Sequence, residues 1–142
     1  MDIKQKLKQG ALPGLLGYRL RLAQQAVFRD FAGSVQGLSP GRVGLLILID
    51  ANPGVSQSRL AEAANRDRST MVGVLDQLEA RALIERRAGR DRRTNGVWLT
   101  RAGRALLARA LRAVGRHERR IAARLSLAER RQLLELLGRI SG

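Results

Sequence analysis

The stretch from Asp67 to Thr100 constrains this chain most, because it reads as a helix with a small polar outer face followed at once by an arginine-rich hairpin. Asp67 is a helix N-cap whose carboxylate can accept from the free N–H groups of the first turn, with Ser69 and Thr70 inside that turn. Met71, Val74, Leu75 and Leu78 recur at three- and four-residue spacing and make one apolar stripe. Arg68, Ser69, Val72, Gly73 and Gln77 are left on the other faces. A helix entering a DNA major groove needs such a face, since short polar groups and methyls reach base edges where bulk would hold the backbone away. An ordinary amphipathic helix shows the same stripe, so the helix alone does not decide.

The next residues shift the balance. Leu83 to Arg87 alternates as a short strand, Ala88 to Gly96 is a polar turn, and Val97 to Thr100 is a second apolar strand. From Arg81 to Arg104 there are eight arginines (Arg81, Arg86, Arg87, Arg90, Arg92, Arg93, Arg101 and Arg104) against two acids, Glu85 and Asp91. Such a local excess of one sign repels itself unless a polyanion neutralises it. The hairpin tip has the length and charge to enter a minor groove, where narrow walls concentrate negative potential. Asp91 among the arginines reads as a pairing group for Arg93, fixing the direction of its guanidinium.

Bulk properties agree. The 142 residues suit one domain with a sizeable core. Aromatics are only 3%, so the core is built from Leu, Ala, Val and Ile, as in closely packed helical proteins. The formal charge of +15, carried mostly by arginine, makes nucleic acid the first partner to consider. A membrane surface comes second, but nothing approaches the ~20-residue apolar run of a spanning helix, and the first nine residues lack the apolar core of a signal peptide. The expectation is a cytoplasmic protein without membrane contact. With no cysteine, disulfides and thiol chemistry are excluded.

Residues 1–9 read as a polar arm. Leu12 to Phe31 reads as a helix with two apolar seams: Leu16, Leu20, Ala23, Val27 and Phe31 on one side, Leu15, Tyr18 and Leu22 on another. Two faces need two partners. One can be the chain's own domain and the other a second copy, which predicts a homodimer. A single helix buried all round in a monomer would show the same pattern. Ser39-Pro40 starts a short apolar helix ended by Asn52-Pro53-Gly54, and Ser56 caps the helix Gln57 to Ala64. Two short helices joined by a tight turn, with a hairpin behind, give the order of a winged helix-turn-helix. Thr100 then caps a long helix with a seam of Leu107, Ala110, Leu111, Val114, Ile121 and Leu125, and Ser126 to Glu129 is a capping box opening a last apolar helix. The expected fold is mainly α with a small two-stranded β-wing. Its parts are residues 1–36 (arm and dimerisation helix), 37–100 (winged helix-turn-helix) and 101–142 (C-terminal dimerisation helices).

The runs Leu60-Ala-Glu-Ala-Ala64, Asp67-Arg-Ser-Thr-Met71, Leu75 to Ile84, Asp91-Arg-Arg93 and Val97 to Gly103 resemble the MarR family of bacterial transcription regulators. The resemblance covers nearly the whole chain. It implies a triangular homodimer of winged helix-turn-helix lobes, dimerising through the first and last helices, with small, often phenolic or anionic, effectors relieving repression. It also implies that Ser69, Thr70 and Gly73 occupy recognition-helix contact positions and that Asp91 and Arg93 match the wing's Asp-x-Arg motif. Two positions depart from the pattern: Ala82 stands where glycine is usual, and Arg66 where an apolar residue is usual.

The leading reading is a dimeric, sequence-specific repressor on a palindromic operator. Arg68, Ser69, Thr70, Val72, Gly73 and Gln77 lie on the reading helix, Arg93 enters the minor groove, and Arg86, Arg87, Arg90 and Arg92 contact phosphates. A non-specific architectural or RNA-binding protein, and a regulator of another protein, remain as alternatives. For the effector, Tyr18, Arg19, Leu22 and Phe28 with Val43, Ile47 and Arg109 are candidate pocket residues, suited to an aromatic carboxylate or its coenzyme A thioester; core and dimer interface explain them equally well. His117, the lone histidine, reads as solvated or capping. Nothing in the sequence implies a metal, a cofactor or an enzyme.

Overall fold

A computed structural model describes residues 7–88 and 95–142. A 3-10 turn, Leu12–Gly14, leads into α1 (Leu16–Ser34), followed by α2 (Pro40–Ala51), β1 (Val55–Ser56), α3 (Gln57–Ala63) and α4 (Arg68–Ala80). Next come β2 (Ile84–Ala88), β3 (Asn95–Leu99), α5 (Arg101–Ile121) and α6 (Leu127–Ser141). The first helix therefore starts later than its periodicity suggests. Leu15 is extended (φ −89°, ψ 124°), and the turn around Pro13 closes separately through Leu15 N–H to Leu12 O at 3.0 Å.

The caps follow the sequence. Ser39, Ser56, Asp67, Thr100 and Ser126 each accept, through a side-chain oxygen, from a backbone N–H three residues on. Ser126 and Glu129 form the reciprocal capping box. The wing is larger than expected: it is a three-stranded antiparallel sheet in the order β1-β3-β2. Val55 and Ser56, read from the sequence only as a helix start, pair with Val97 and Gly96, and Gly54 N–H donates to Val97 O at 2.9 Å. Two residues are too few for an alternating pattern to register.

One continuous core draws on α1 to α5 and the sheet, with Leu46, Ile49, Leu60, Leu75 and Leu78 fully enclosed. Of α1 only Phe31 is buried, and α6 buries nothing. On α5 the buried side is Gly103, Leu107, Ala110, Ala113 and His117; Leu111, assigned to the seam from sequence, is exposed. His117 is the clearest correction. Far from being solvated, it is 2% exposed, lies edge-on to Phe31 with ring centroids 5.3 Å apart, and places Nδ1 2.7 Å from Asp30 Oδ1. Its place on the stripe with Ala110 and Ala113 was a legible signal. Asp30 also accepts from Arg120 Nε at 3.1 Å and Nη2 at 3.0 Å. Arg120 first, then His117, hold its carboxyl well below the usual carboxylate range.

The exit from α4 decides how the wing sits. Leu83 N–H donates to Leu78 O at 3.0 Å and Ala82 N–H to Glu79 O at 2.8 Å, the paired bonds of a Schellman ending. Its left-handed residue is Ala82, at φ +57°. Immediately beyond, Thr100 Oγ1 donates to Ala82 O at 2.7 Å and Thr100 N–H to Leu83 O at 3.0 Å. The first turn of α5 rests so closely here that a Cβ on Gly103 would sit 2.0 Å from Leu83 O. Only glycine fits this contact.

Replacing Ala82 with Gly removes a left-handed penalty of about 1–2 kcal/mol and restores part of it as backbone entropy, so a net gain of about 1 kcal/mol is expected in urea unfolding. Gly103→Ala is expected to lose about 1–3 kcal/mol or more, as overpacking forces α5 off the strand. Acid should also weaken the α1–α5 contact. Because Asp30 has a lowered folded-state pKa, its contribution is complete above the ordinary carboxylate range and fades as pH falls through about 4 and below. The stability difference between Asp30→Asn and the unaltered protein should therefore be constant from pH 7 to 5, begin to shrink as pH falls below about 4, and close only in stronger acid.

Candidate nucleic-acid interface

The outward face of α4 is built as its sequence suggests. Met71, Leu75 and Leu78 are buried, whereas Arg68, Ser69, Thr70, Val72, Gly73 and Gln77 are exposed. Asp67 does more than cap. Its Oδ1 accepts from Thr70 N–H at 2.7 Å and from Ser69 Oγ at 2.8 Å, and its Oδ2 accepts from Thr70 Oγ1 at 2.9 Å. These bonds, the Thr70 backbone N–H first, lower the Asp67 pKa. With both hydroxyl hydrogens turned inward, Ser69 and Thr70 present oxygen lone pairs outward. They are set to accept from the exocyclic amino groups of cytosine or adenine. Gln77 is also oriented: its Oε1 accepts from Arg42, so its amide N–H groups point elsewhere. Arg42, on α2, had no sequence signal tying it to the reading helix.

A second basic group lies at the other end of the face. Arg59, Arg66 and Arg68, with Ser58, Glu62 and Asp67, line a 420 Å³ cavity between α3 and the start of α4. A 340 Å³ cavity behind α4 is lined by Ser39, Arg42, Leu45, Arg66, Met71 and Val74. Arg66 folds over the α2 start, its Nη2 3.1 Å from where a Gly41 Cβ would stand. Arg66, noted only as departing from a pattern, thus belongs to the basic rim.

The wing arginines divide into different roles. Arg86, expected on phosphate, has a guanidinium engaged within the protein. Nη2 donates to Asp76 Oδ1 at 2.6 Å and Glu79 Oε1 at 3.0 Å, Nε to Glu79 Oε2 at 3.2 Å, and Nη1 to Gln57 Oε1 at 3.3 Å. The Arg86 backbone N–H also donates to Glu79 Oε2 at 3.1 Å. Glu79 first and then Asp76 raise the Arg86 pKa, and Arg86 in turn lowers that of Glu79. One side chain therefore joins β2 to α3 and α4. Arg87 is exposed, pairs with Glu85, and stacks over Trp98 with Cζ 5.3 Å from the ring centroid. Trp98 lies over Gly54 and Gly96, where added Cβ atoms would stand 2.9 and 2.6 Å from its ring. Arg90, Asp91, Arg92 and Arg93, with the expected Asp91–Arg93 pairing, lie outside the described residues.

The effector candidates are not gathered in one cavity of a single chain. Val43 is 4% exposed and belongs to the hydrophobic core, while Ile47, one turn later, is 41% exposed. Leu22 and Phe28 are exposed, Arg109 is exposed, and Arg19 Nε donates to Pro13 O at 3.0 Å. Tyr18 is half-buried, with Arg21 Cζ 5.7 Å from its ring centroid. A 530 Å³ groove instead runs between α1, α5 and α6, lined by Leu20, Val27, Ile121, Leu125, Leu133 and Leu137 among others.

The sequence profile of the MarR family matches residues 36–94, the helix-turn-helix and the start of the wing. A putative transcriptional regulatory protein for the hcr operon of Thauera aromatica is 44% identical over 139 residues, covering 95% of this chain and 84% of that protein. The chain belongs to the MarR family. The transcriptional repressor CouR, bound to a 23-mer DNA duplex, superposes with a TM-score of 0.92 at 42% identity, over 96% of this chain and 99% of that one. CouR bound to p-coumaroyl-CoA superposes with a TM-score of 0.86 at 40% identity, over 96% and 98%. This MarR-family protein is thus a DNA-binding transcription regulator with a winged helix-turn-helix. Among the described residues, no helix is long and apolar enough to cross a membrane.

Two substitutions separate reading from positioning. Asp67→Ala removes three hydrogen bonds, frees both hydroxyls and should cost about 1 kcal/mol of stability. It should also lower discrimination between specific and scrambled duplexes. Arg86→Gln should weaken DNA binding chiefly through a loosened wing, seen as faster amide exchange in β2 and β3 in the absence of DNA.

Proposed function

We propose that the chain is a homodimeric repressor that binds a palindromic operator and is released by a small anionic aromatic effector. The observation that carries the DNA reading is the α4 face, with two hydroxyls fixed by Asp67 above a basic rim. The corresponding repressor CouR, at 42% identity, is known bound to duplex DNA. Ser69, Thr70, Val72, Gly73 and Gln77 read the major groove, Arg68, Arg87, Arg90 and Arg92 meet phosphates, and Arg93, directed by Asp91, enters the neighbouring minor groove. A two-fold dimer places half-site centres ~34 Å apart or slightly more.

The dimer reading rests on the uncovered terminal helices. Leu127, Leu134 and Ile140 of α6 are 76%, 61% and 55% exposed, and Leu15 and Leu16 at the start of α1 are 51% and 61% exposed. Large apolar side chains left exposed along two helices call for a partner. A second copy supplies the same surface, and closed two-fold symmetry satisfies both at once. For the effector, the similarity to CouR bound to p-coumaroyl-CoA supports an aromatic acid or its coenzyme A thioester. Tyr18, Arg19, Leu22, Phe28, Ile47 and Arg109 would then meet in the dimer, where α1 of one copy can approach α5 of the other.

The test is an anisotropy titration on the chain's own upstream DNA against a scrambled duplex, near physiological salt, with a panel of aromatic acids and their thioesters. Preference for the upstream DNA at two chains per site, with release by one compound, is the expected result. Equal binding to both duplexes with a steep salt dependence would instead make it a non-specific architectural protein. Removing residues 127–142 should leave a monomeric or insoluble chain; a stable monomer with specific DNA binding would remove the basis for the dimer.

A further inference from the structure

Away from the reading face, α1 and α5 flank an open cavity of 520 Å³ lined by Arg29, Asp30, Gly33, Ser34, Arg116 and Arg120. Its only carboxylate is fully occupied. Asp30 accepts from two nitrogens of Arg120, from His117, and from Ser34 Oγ at 3.2 Å. His117 closes the back of this arrangement and is itself buried, and no buried side-chain polar atom among the described residues lacks a partner. Arg120 is therefore held in a fixed pose. Its Nε and Nη2 are directed to Asp30 and Ser34, and Nη1 has no partner among the described residues. Arg29 and Arg116 likewise have none there, so three guanidinium groups face one already committed carboxylate.

Like charges gathered around one cavity repel unless an anion joins them. The uncommitted Nη1 of a guanidinium held in place by Asp30, with two further arginines across the opening, offers donors to several oxygens at once, which suits a phosphate better than a single small anion. The cavity also continues a ridge. Arg109, Arg112, Arg116 and Arg120 are all exposed and follow one another at three- and four-residue spacing along one side of α5, over about 16 Å. Arg109 is one of the candidate effector positions, so an elongated ligand with its organic end there has a basic track leading to the cavity.

We propose that the α1–α5 cavity is a binding site for the phosphate or pyrophosphate group of a small molecule, held by Arg29, Arg116 and Arg120. The source is either the nucleotide end of a coenzyme-linked effector or a free phosphate compound. The first source rests on the effector reading above; the site itself does not.

Calorimetric titration of the full-length protein with inorganic pyrophosphate, and separately with adenosine 3′,5′-bisphosphate, tests it. Saturable binding is expected, weakened at least about tenfold by Arg29→Gln or Arg116→Gln, a loss of about 1.4 kcal/mol. Arg124→Gln, an exposed arginine outside the cavity, should change affinity less than about twofold, the size expected for a distant screened charge. Absence of saturable binding, or an equal loss in Arg124→Gln, overturns the site and leaves only general attraction to a basic protein. DNA release then distinguishes the sources. If Arg116→Gln raises the concentration of aromatic thioester needed for release but not that of the free acid, the cavity holds the coenzyme phosphate. If pyrophosphate binding is lost while thioester release is unchanged, the site stands and its ligand is a free phosphate compound. Failure of every aromatic compound to release DNA would count against the effector reading alone, because the calorimetry does not depend on it.

Discussion

The structure depends on the close approach of the first turn of α5 to the backbone of Leu83. There the exit of α4, the start of β2 and the start of α5 meet within a few residues. Thr100 donates to Ala82 O and Leu83 O, its hydroxyl caps Gly103 N–H at 2.9 Å, and Gly103 has no room for a Cβ. Packed interiors transmit displacement because they contain little free volume. This contact has even less slack than an ordinary core, since backbone meets backbone. The orientation of the reading helix relative to the long helix is set here, and the left-handed Ala82 is the strain that the arrangement tolerates.

Charge is distributed with a division of labour that the net figure of +15 conceals. Arg86 is held by Asp76 and Glu79, Arg120 by Asp30, and Arg42 by Gln77; these cations position helices and strands. Arg87 stacks on Trp98 beside Glu85 and remains exposed, which suits a phosphate contact with restricted side-chain freedom. Pairing some arginines inside the fold lowers self-repulsion while leaving others to the ligand. In Arg86 the fork is used fully, with three acceptor side chains on two helices. Lysine, a point charge without that geometry, would not join the same three.

The sequence made the helix order, all five side-chain caps, the stripe of α4 and the β2–β3 hairpin legible, because each is written in local spacing or in a single capping residue. Ala82 was legible too: an alanine where the chain needs a left-handed residue appears as φ +57°. What local spacing lacks is information about distant partners. Nothing near Arg86 in sequence says that Asp76, Glu79 and Gln57 converge on it, so a half-buried positioning group reads as a phosphate contact. Val55 pairing with Val97 across 42 positions left no periodic trace. His117 lies on the buried stripe of α5, but the partner that holds its imidazole, Asp30, is 87 residues away and leaves no trace in local spacing.

These connections bear on how an effector signal could travel. The 21 residues of α5 span about 31 Å, beginning at the Leu83 contact and ending where the uncovered groove with α1 and α6 begins. In its last turns α5 is fixed to α1 by the Asp30, His117 and Arg120 cluster. A ligand that changes how α1 crosses α5 therefore acts on a stiff element whose far end is locked to the exit of α4. The helix has no proline or described break through which such a displacement would be absorbed. A charged ligand beside that cluster can therefore act on the reading helix along α5, through the contact of its first turn with Leu83.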